Sequence, residues 1–228
     1  MKTTAIVLCA GKSTRMGGKD KLLASLGEDV VFMHSVRAFT HSPHVDEVVV
    51  VVSAENLDKV NKEITKYRFH KPVKLVLGGI QRHLSARQGF LATSSNSEII
   101  LVHDGARPLL SADLIKRVWQ GTKEHGACVP AVLPVDTIKE TIDGQTIDKT
   151  LQRQNLRITQ TPQGFKRELL LKAYESNDHN VTDDAQIVEQ CGYTVYLCAG
   201  EDSNIKVTIP QDLLVATLIY NERQAKHL

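Results

Sequence analysis

Apolar residues follow two rhythms along the first half of the chain. Near-continuous runs, "TAIVLCA" at 4–10, "DEVVVVVS" at 46–53 and "EIILVHD" at 98–104, are separated by stretches with apolar residues three or four positions apart. The runs read as strands buried on both faces of a parallel sheet. "VKLVL" at 73–77, ending in Gly78–Gly79, reads as another. Between them "AENLDKVNKEITKY" (54–67) reads as a helix, with Leu57, Val60 and Ile64 on one face and Ser53 as its cap. "QRHLSARQGFLAT" (81–93) and, behind a Ser111 cap, "ADLIKRVWQGTKEHG" (112–126) read the same way. Strand and helix in alternation predict a doubly wound α/β sheet, whose ligands sit at the carboxyl ends of the strands.

After Pro134 the rhythm changes. "VDTIKETIDGQTIDKTLQR" (135–153) alternates polar and apolar residues around Asp143–Gly144, a strong hairpin signal. It is polar on both sides of the turn and predicts a β-arm projecting from the domain, an element suited to dimer contacts. Helices at 166–176 and 183–192, a strand at 193–199 and a last helix at 210–224 complete the pattern. With no repeat, linker or low-complexity segment, residues 1–228 are expected to form one domain, with 135–153 as its arm.

Composition narrows the function classes. A net charge of +2 over 228 residues makes no electrostatic case for nucleic acid or a membrane surface. No run approaches the ~20 apolar residues of a membrane helix, and the opening stretch is shorter than a signal peptide's core of ~7–15. The four cysteines, none in a C-x-x-C pair, read as reduced thiols, so the expected compartment is the cytoplasm.

Gly11-Lys12-Ser13-Thr14 spells the tail of a phosphate-binding P-loop, but that motif needs a glycine five residues before Gly11, where Ile6 stands. A β-branched residue cannot take that glycine's conformations, so the P-loop reading fails. A generic anion cradle remains, a buried strand ending in small residues and cations. Chemically loaded residues gather where strands end: Lys12, Arg15, Lys19 and Lys21 after the first, Gly78, Gly79, Arg82 and Ser85 after "VKLVL", Asp104 and Arg107 after "EIILVH". Asp104 is placed to bind Mg²⁺ directly or through water, to accept from a sugar hydroxyl, or to cap the following turn. Thr182 and Asp183 fit a helix start as well as a ligand contact. Lys206, between Ile205 and Val207, reads as lying in or beside an edge strand. Strand-end cations, a glycine turn and a carboxylate suggest a nucleoside triphosphate with Mg²⁺, without choosing between transfer, hydrolysis and binding.

Seven segments then occur in order: "CAGKSTRMGGKDK", "GGIQRHLS", "VHDGARP", "PVDTIK", "QTPQGF", "TDDAQIVE" and "NIKVTIPQDL". Together they resemble the methylerythritol phosphate cytidylyltransferase family, nearly end to end. The resemblance implies a Rossmann-like, mostly parallel twisted sheet flanked by helices, with a protruding β-arm that interlocks two subunits into a homodimer. It implies transfer of CMP from CTP to methylerythritol phosphate, with Mg²⁺ and release of pyrophosphate, in isoprenoid precursor synthesis. Arg15 and Lys21 match the basic pair that stabilises charge as the substrate phosphate attacks. Ala10 and Gly11 would lie beside the nucleotide, and Gly79 and Ser85 match the segment that recognises cytosine. Asp104 and Arg107 would lie between the nucleotide sugar and the second substrate, and Lys206 matches the lysine that orients the reacting phosphate. Thr137 and Arg153 match arm residues that reach the partner's site, and Thr182 a lesser substrate contact.

The sequence departs from the family pattern at Ser13, where a second glycine is usual, and at Lys19-Asp20-Lys21, where "P-K-Q" is usual. It also departs at Ile80 and Gln152, each in place of a common acidic residue. None removes a matched catalytic charge. A ribitol phosphate cytidylyltransferase shares the scaffold and most motifs. An inactive nucleotide-binding dimer is a reading of another class, opposed by the joint presence of Arg15, Lys21, Asp104 and Lys206.

Overall fold

The computed structural model describes residues 1–11, 20–176 and 181–226. The chain begins with β1 (Thr3–Cys9), the short pair β2 (Ser25–Leu26) and β3 (Asp29–Val30), and helix α1 (Val31–His41). β4 (Glu47–Val52), α2 (Leu57–Ile64), β5 (Val73–Leu77), α3 (Arg82–Leu91), β6 (Ile99–Asp104) and α4 (Ala112–His125) follow. Next come β7 (Ala127–Val132), β8 (Lys139–Glu140), β9 (Lys149–Thr150), β10 (Ile158–Thr159) and β11 (Gln163–Lys166). The chain ends with α5 (Arg167–Ser176), α6 (Asp184–Gln190), β12 (Tyr196–Ala199) and α7 (Pro210–Ala225).

Among the described residues eight strands form one sheet in the order β10-β7-β11-β6-β1-β4-β5, with β12 on β7. The pairings β6–β1–β4–β5 and β12–β7 are parallel; β11 runs antiparallel between β6 and β7. The sequence reading of a mostly parallel α/β sheet flanked by helices therefore holds. β1, β4 and β6 are buried on both faces, which explains their unbroken apolar runs. Val7, Val48, Val50 and Leu101 pack against α1, α2 and α4; Ile6, Val49, Val51 and Val102 pack against α3, α5 and α6. Leu26, Leu109 and Val207 meet α7 in a separate small cluster.

The connections fix where a ligand can sit. From β1 the chain moves outward through β4 and β5, then returns to place β6 on the other side of β1. The strand order reverses between β1 and β6, the position where crevices open in doubly wound sheets. Leu8 pairs with Asp104 across that boundary, so Cys9–Gly11 and Asp104 emerge side by side.

Several sequence expectations are corrected. Ser53 makes no side-chain cap; a 3₁₀ turn at Ala54–Asn56 intervenes, and α2 is Leu57–Ile64 rather than 54–67. The Asn56 amide, at the α2 N-cap, is occupied by Asp20 instead. Lys206 lies in no strand but in the connection between β12 and α7, where Val207 N–H bonds the Ala106 carbonyl at 2.8 Å. β12 is shorter than 193–199, covering Tyr196–Ala199. Helix α1 and antiparallel β11 have no counterpart in the sequence reading. By contrast, Ser111 caps α4, its hydroxyl accepting from Leu114 N–H at 3.0 Å.

The segment 135–153 pairs β8 with β9 about the turn at Asp143–Gly144. Gly144 has φ +74°, which a side chain disfavours. The Asp143 carboxylate accepts from the N–H groups of Gln145 and Thr146, both at 2.8 Å, so the turn closes on itself. Along the arm Val135, Ile142 and Ile147 are exposed.

Candidate active site

Asp104 ends β6 in the β1/β6 crevice, and three cations surround it. Lys206 Nζ stands 2.6 Å from Oδ2 and Arg82 Nη2 3.4 Å from Oδ1. Arg107 adds positive charge from the same loop. Burial alone would raise the carboxyl's pKa, but Arg82, Lys206 and Arg107 together hold it well below the usual carboxylate range. The second carboxylate nearby, Asp184 at the start of α6, is fully buried and takes Arg82 Nη1 at 2.8 Å. Arg82, Lys206 and Arg107 thus meet the carboxylates of Asp104 and Asp184 at one corner of the fold.

The backbone that presents Asp104 is held from behind. His103 is buried, its ring edge-on to Phe39 at 5.4 Å between centroids. Its Nε2 faces the Arg107 carbonyl at 3.2 Å, so Nε2 carries the proton and Nδ1 accepts from the Thr161 hydroxyl at 3.0 Å. Thr161 Oγ1 in turn accepts from Asp104 N–H at 3.1 Å. Burial pushes the His103 pKa down to about 4, keeping the ring neutral near pH 7. Arg107 donates from Nη1 to the Asn204 carbonyl at 2.7 Å, tying the loop after β6 to the segment that carries Lys206. Among the described residues Arg107 Nε and Asn204 Oδ1 are buried with no hydrogen-bond partner.

The glycine turn after β5 forms the opposite wall. A Cβ on Gly78 would lie 2.7 Å from the Ala10 side chain and 2.8 Å from the Ser85 hydroxyl, so only glycine lets these ends close together. The Ser85 hydroxyl donates to backbone, with the Gly79 carbonyl at 3.2 Å and the Gln81 carbonyl at 3.0 Å, and pins the turn. Ala10 is half-buried and Gly11 exposed.

Of the residues expected from sequence, Ala10, Gly11, Gly79, Ser85, Asp104, Arg107 and Lys206 come from segments that meet at this end of the sheet. Lys21 is half-buried just after Asp20, whose carboxylate accepts Leu22 N–H at 2.9 Å. Arg15, with Lys12, Ser13 and Lys19, lies outside the described residues. Thr182 is exposed, and its N–H and hydroxyl both donate to Gln186 Oε1, at 2.9 and 3.1 Å, as helix-start chemistry would have it. Thr137 and Arg153 are exposed on the arm, where Arg153 donates to the Val135 carbonyl. Arg82 stands in the sequence cluster but not among the expected site residues, and Asp184 and His103 enter the corner only through the fold. Their signal was weak: a second aspartate beside a capping aspartate, and a histidine hidden in a strand.

Among the described residues no three His, Cys, Asp or Glu side chains cluster as a metal site. Both Asp104 oxygens face cations, so the carboxylate fits a hydrated ion held mainly by phosphates rather than a protein cage. A cavity of about 230 Å³ between α4 and β12, lined by Gln120, Cys128 and Cys198 among others, is separate from this corner. No helix among the described residues is long and apolar enough to cross a membrane.

Comparison with known proteins agrees with this geometry. The family model for 2-C-methyl-D-erythritol 4-phosphate cytidylyltransferase matches residues 3–222. A protein of that name from Alkaliphilus oremlandii is 39% identical, covering 98% of this chain and 97% of its own length. Another from Dehalococcoides mccartyi is 38% identical, with 96% of both chains covered. Among solved structures, 4-diphosphocytidyl-2C-methyl-D-erythritol synthase from Anaerococcus prevotii superposes with a TM-score of 0.85 at 28% identity, covering 96% of each chain. The cytidylyltransferase of Thermus thermophilus gives 0.76 at 28% identity, covering 96% of this chain and 98% of its own. A family match over nearly the whole length, with relatives this similar, places the chain in the 2-C-methyl-D-erythritol 4-phosphate cytidylyltransferase family.

Proposed function

We propose that the protein transfers CMP from CTP to 2-C-methyl-D-erythritol 4-phosphate, forming cytidine diphospho-methylerythritol and pyrophosphate for isoprenoid precursors. The observation that carries this reading is Lys206 held 2.6 Å from the ionised Asp104 at the strand reversal. A phosphate oxygen of the acceptor attacks the α-phosphorus of CTP; the bond from that phosphorus to the bridging oxygen breaks, and pyrophosphate leaves with the electron pair. The nucleophile arrives already charged, so positioning and charge neutralisation supply the catalysis.

In this reading Ala10, Gly11, Gly79 and Ser85 hold the nucleotide, and Asp104 and Arg107 lie between its sugar and the acceptor. Lys206 orients the reacting phosphate, and Arg15 and Lys21 stabilise charge on the α-phosphate. Asp104 would hold Mg²⁺ through water, the triphosphate supplying further ligands, and the ion would neutralise phosphate charge. A homodimer formed through the 135–153 arm would bring Thr137 and Arg153 to the partner's acceptor site, with Thr182 a peripheral contact. The family's named substrate favours this acceptor over ribitol phosphate. Retained charges at Lys21, Asp104 and Lys206 speak against an inactive binder.

CTP labelled at the α-phosphate tests the reaction. Label recovered in a cytidine diphospho-sugar product supports transfer. Label recovered as CMP means hydrolysis, and unchanged CTP means neither; both refute the proposal.

A further inference from the structure

Asp184 has a role that capping α6 does not require. The cap is Asp183, whose Oδ1 accepts from Gln186 N–H at 3.0 Å, and Ala185, Ile187 and Val188 anchor the helix in the core. Asp184 is nonetheless a fully buried carboxylate, an arrangement that is costly unless paired. Its Oδ2 takes Arg82 Nη1 at 2.8 Å and its Oδ1 takes the Tyr174 hydroxyl at 2.8 Å. Its N–H and that of Ala185 both donate to Gln163 Oε1 at 3.1 Å, which fixes the helix start against β11.

The consequence appears on the other side of Arg82. That guanidinium is shared between two carboxylates, tightly with Asp184 and loosely, at 3.4 Å, with Asp104. Asp104 therefore keeps Oδ2 for Lys206 at 2.6 Å. A guanidinium released from Asp184 has a better option, the two-pronged pair with Asp104 that arginine favours over any lysine contact. We propose that Asp184 is a positioning residue, which holds Arg82 back so that Asp104 binds and presents Lys206. This rests on the reading above in which Lys206 orients the reacting phosphate.

The test is a double-mutant cycle on the full chain with CTP, Mg²⁺ and methylerythritol phosphate. Asp184→Asn keeps the size and removes the charge. It is expected to lower kcat about tenfold in the parent and less than about twofold in a Lys206→Gln background. Equal losses in both backgrounds would overturn the proposal, because a purely structural aspartate acts independently of Lys206. Should Asp184→Asn not fold, Tyr174→Phe strips one of its hydrogen bonds, with a roughly threefold loss expected only when Lys206 is present. An activity-independent readout separates this inference from the reaction assignment. Labelling of Lys206 by an amine-reactive reagent, followed by mass spectrometry, should quicken in either variant while exposed Lys116 stays unchanged. An unchanged Lys206 rate overturns the proposal even if the enzyme is active; a parent enzyme without transfer activity refutes the assigned reaction instead.

Discussion

The Asp104 corner and the 135–153 arm treat charge in opposite ways. At the corner, carboxylates and cations from α3, β6, α6 and the segment before α7 are drawn together, half or wholly out of water, each held by named partners. On the arm, polar groups satisfy themselves within a few residues: Asp143 closes its own turn, and Lys149 meets Glu140 at 2.8 Å. The exposed pair is screened by water and adds little, whereas the buried cluster sets the ionisation of its members. The corner is thus built by the fold. The arm presents Thr137 and Arg153 on an exposed hairpin with uncovered Ile142 and Ile147.

Substitutions sharpen that contrast, and the largest effect is expected at the corner. Removing a preorganised charge typically costs ~3–4 kcal/mol of barrier, so Lys206→Ala should lower kcat by ~10²–10³-fold with the fold intact, and the proposed reaction expects a loss of the same order from Lys21→Ala and Arg15→Ala. Near-normal turnover in any of them removes that residue from the mechanism. Arg153→Ala should cost less, roughly 10–100-fold, and mainly in kcat/KM for the sugar phosphate. Mixing inactive Lys206→Ala with Arg153→Ala subunits then tests the arm directly. If arms act in trans, random dimers should regain roughly a quarter of the parental sites; no recovery would mean that each arm serves its own subunit or none.

Stability should show the same division. Glu47 is buried, and although burial opposes its charge, Lys74 at 2.5 Å, Ser94 N–H and Thr4 bring its pKa down to about 2. A depressed folded pKa gives stability that is present above the unfolded value near 4.3 and is lost as pH falls toward 2. Glu47→Gln should remove on the order of 2 kcal/mol at pH 7 and flatten acid unfolding across that window. A variant with an unchanged acid transition would contradict the pairing. The smallest effect belongs to the arm. Gly144→Ala meets no neighbour but must adopt φ +74°, so about 1 kcal/mol of local hairpin stability should go. Hydrogen exchange at 139–150 should quicken with no change in the global melting temperature.

Sequence patterns show most plainly where one physical demand dominates. β1, β4 and β6 are legible because both faces are covered, and α4 because Ser111 caps it. Asp104 stands out as a carboxylate that ends an apolar run. Other features depend on distant partners. Helix α1 starts at Val31 behind Val30, which makes no side-chain cap, so nothing local announces it. Pro130 sits in β7 where the neighbour changes from β11, paired through Cys128, to β10, paired from Ala131; a proline there argues locally against a strand. Asp184 looks like helix-start chemistry until the fold brings it to Arg82, 102 positions away in sequence. Lys206 looks like an edge lysine until Asp104 claims it.

Pyrophosphate release by the purified protein with CTP and Mg²⁺, offered methylerythritol phosphate and ribitol phosphate in parallel, bears most directly on the assignment of this corner to cytidylyl transfer. Turnover with methylerythritol phosphate alone is the expected result. Turnover with ribitol phosphate alone would keep the corner and its chemistry but refute the acceptor, and silence with both while CTP still binds would contradict the catalytic account altogether.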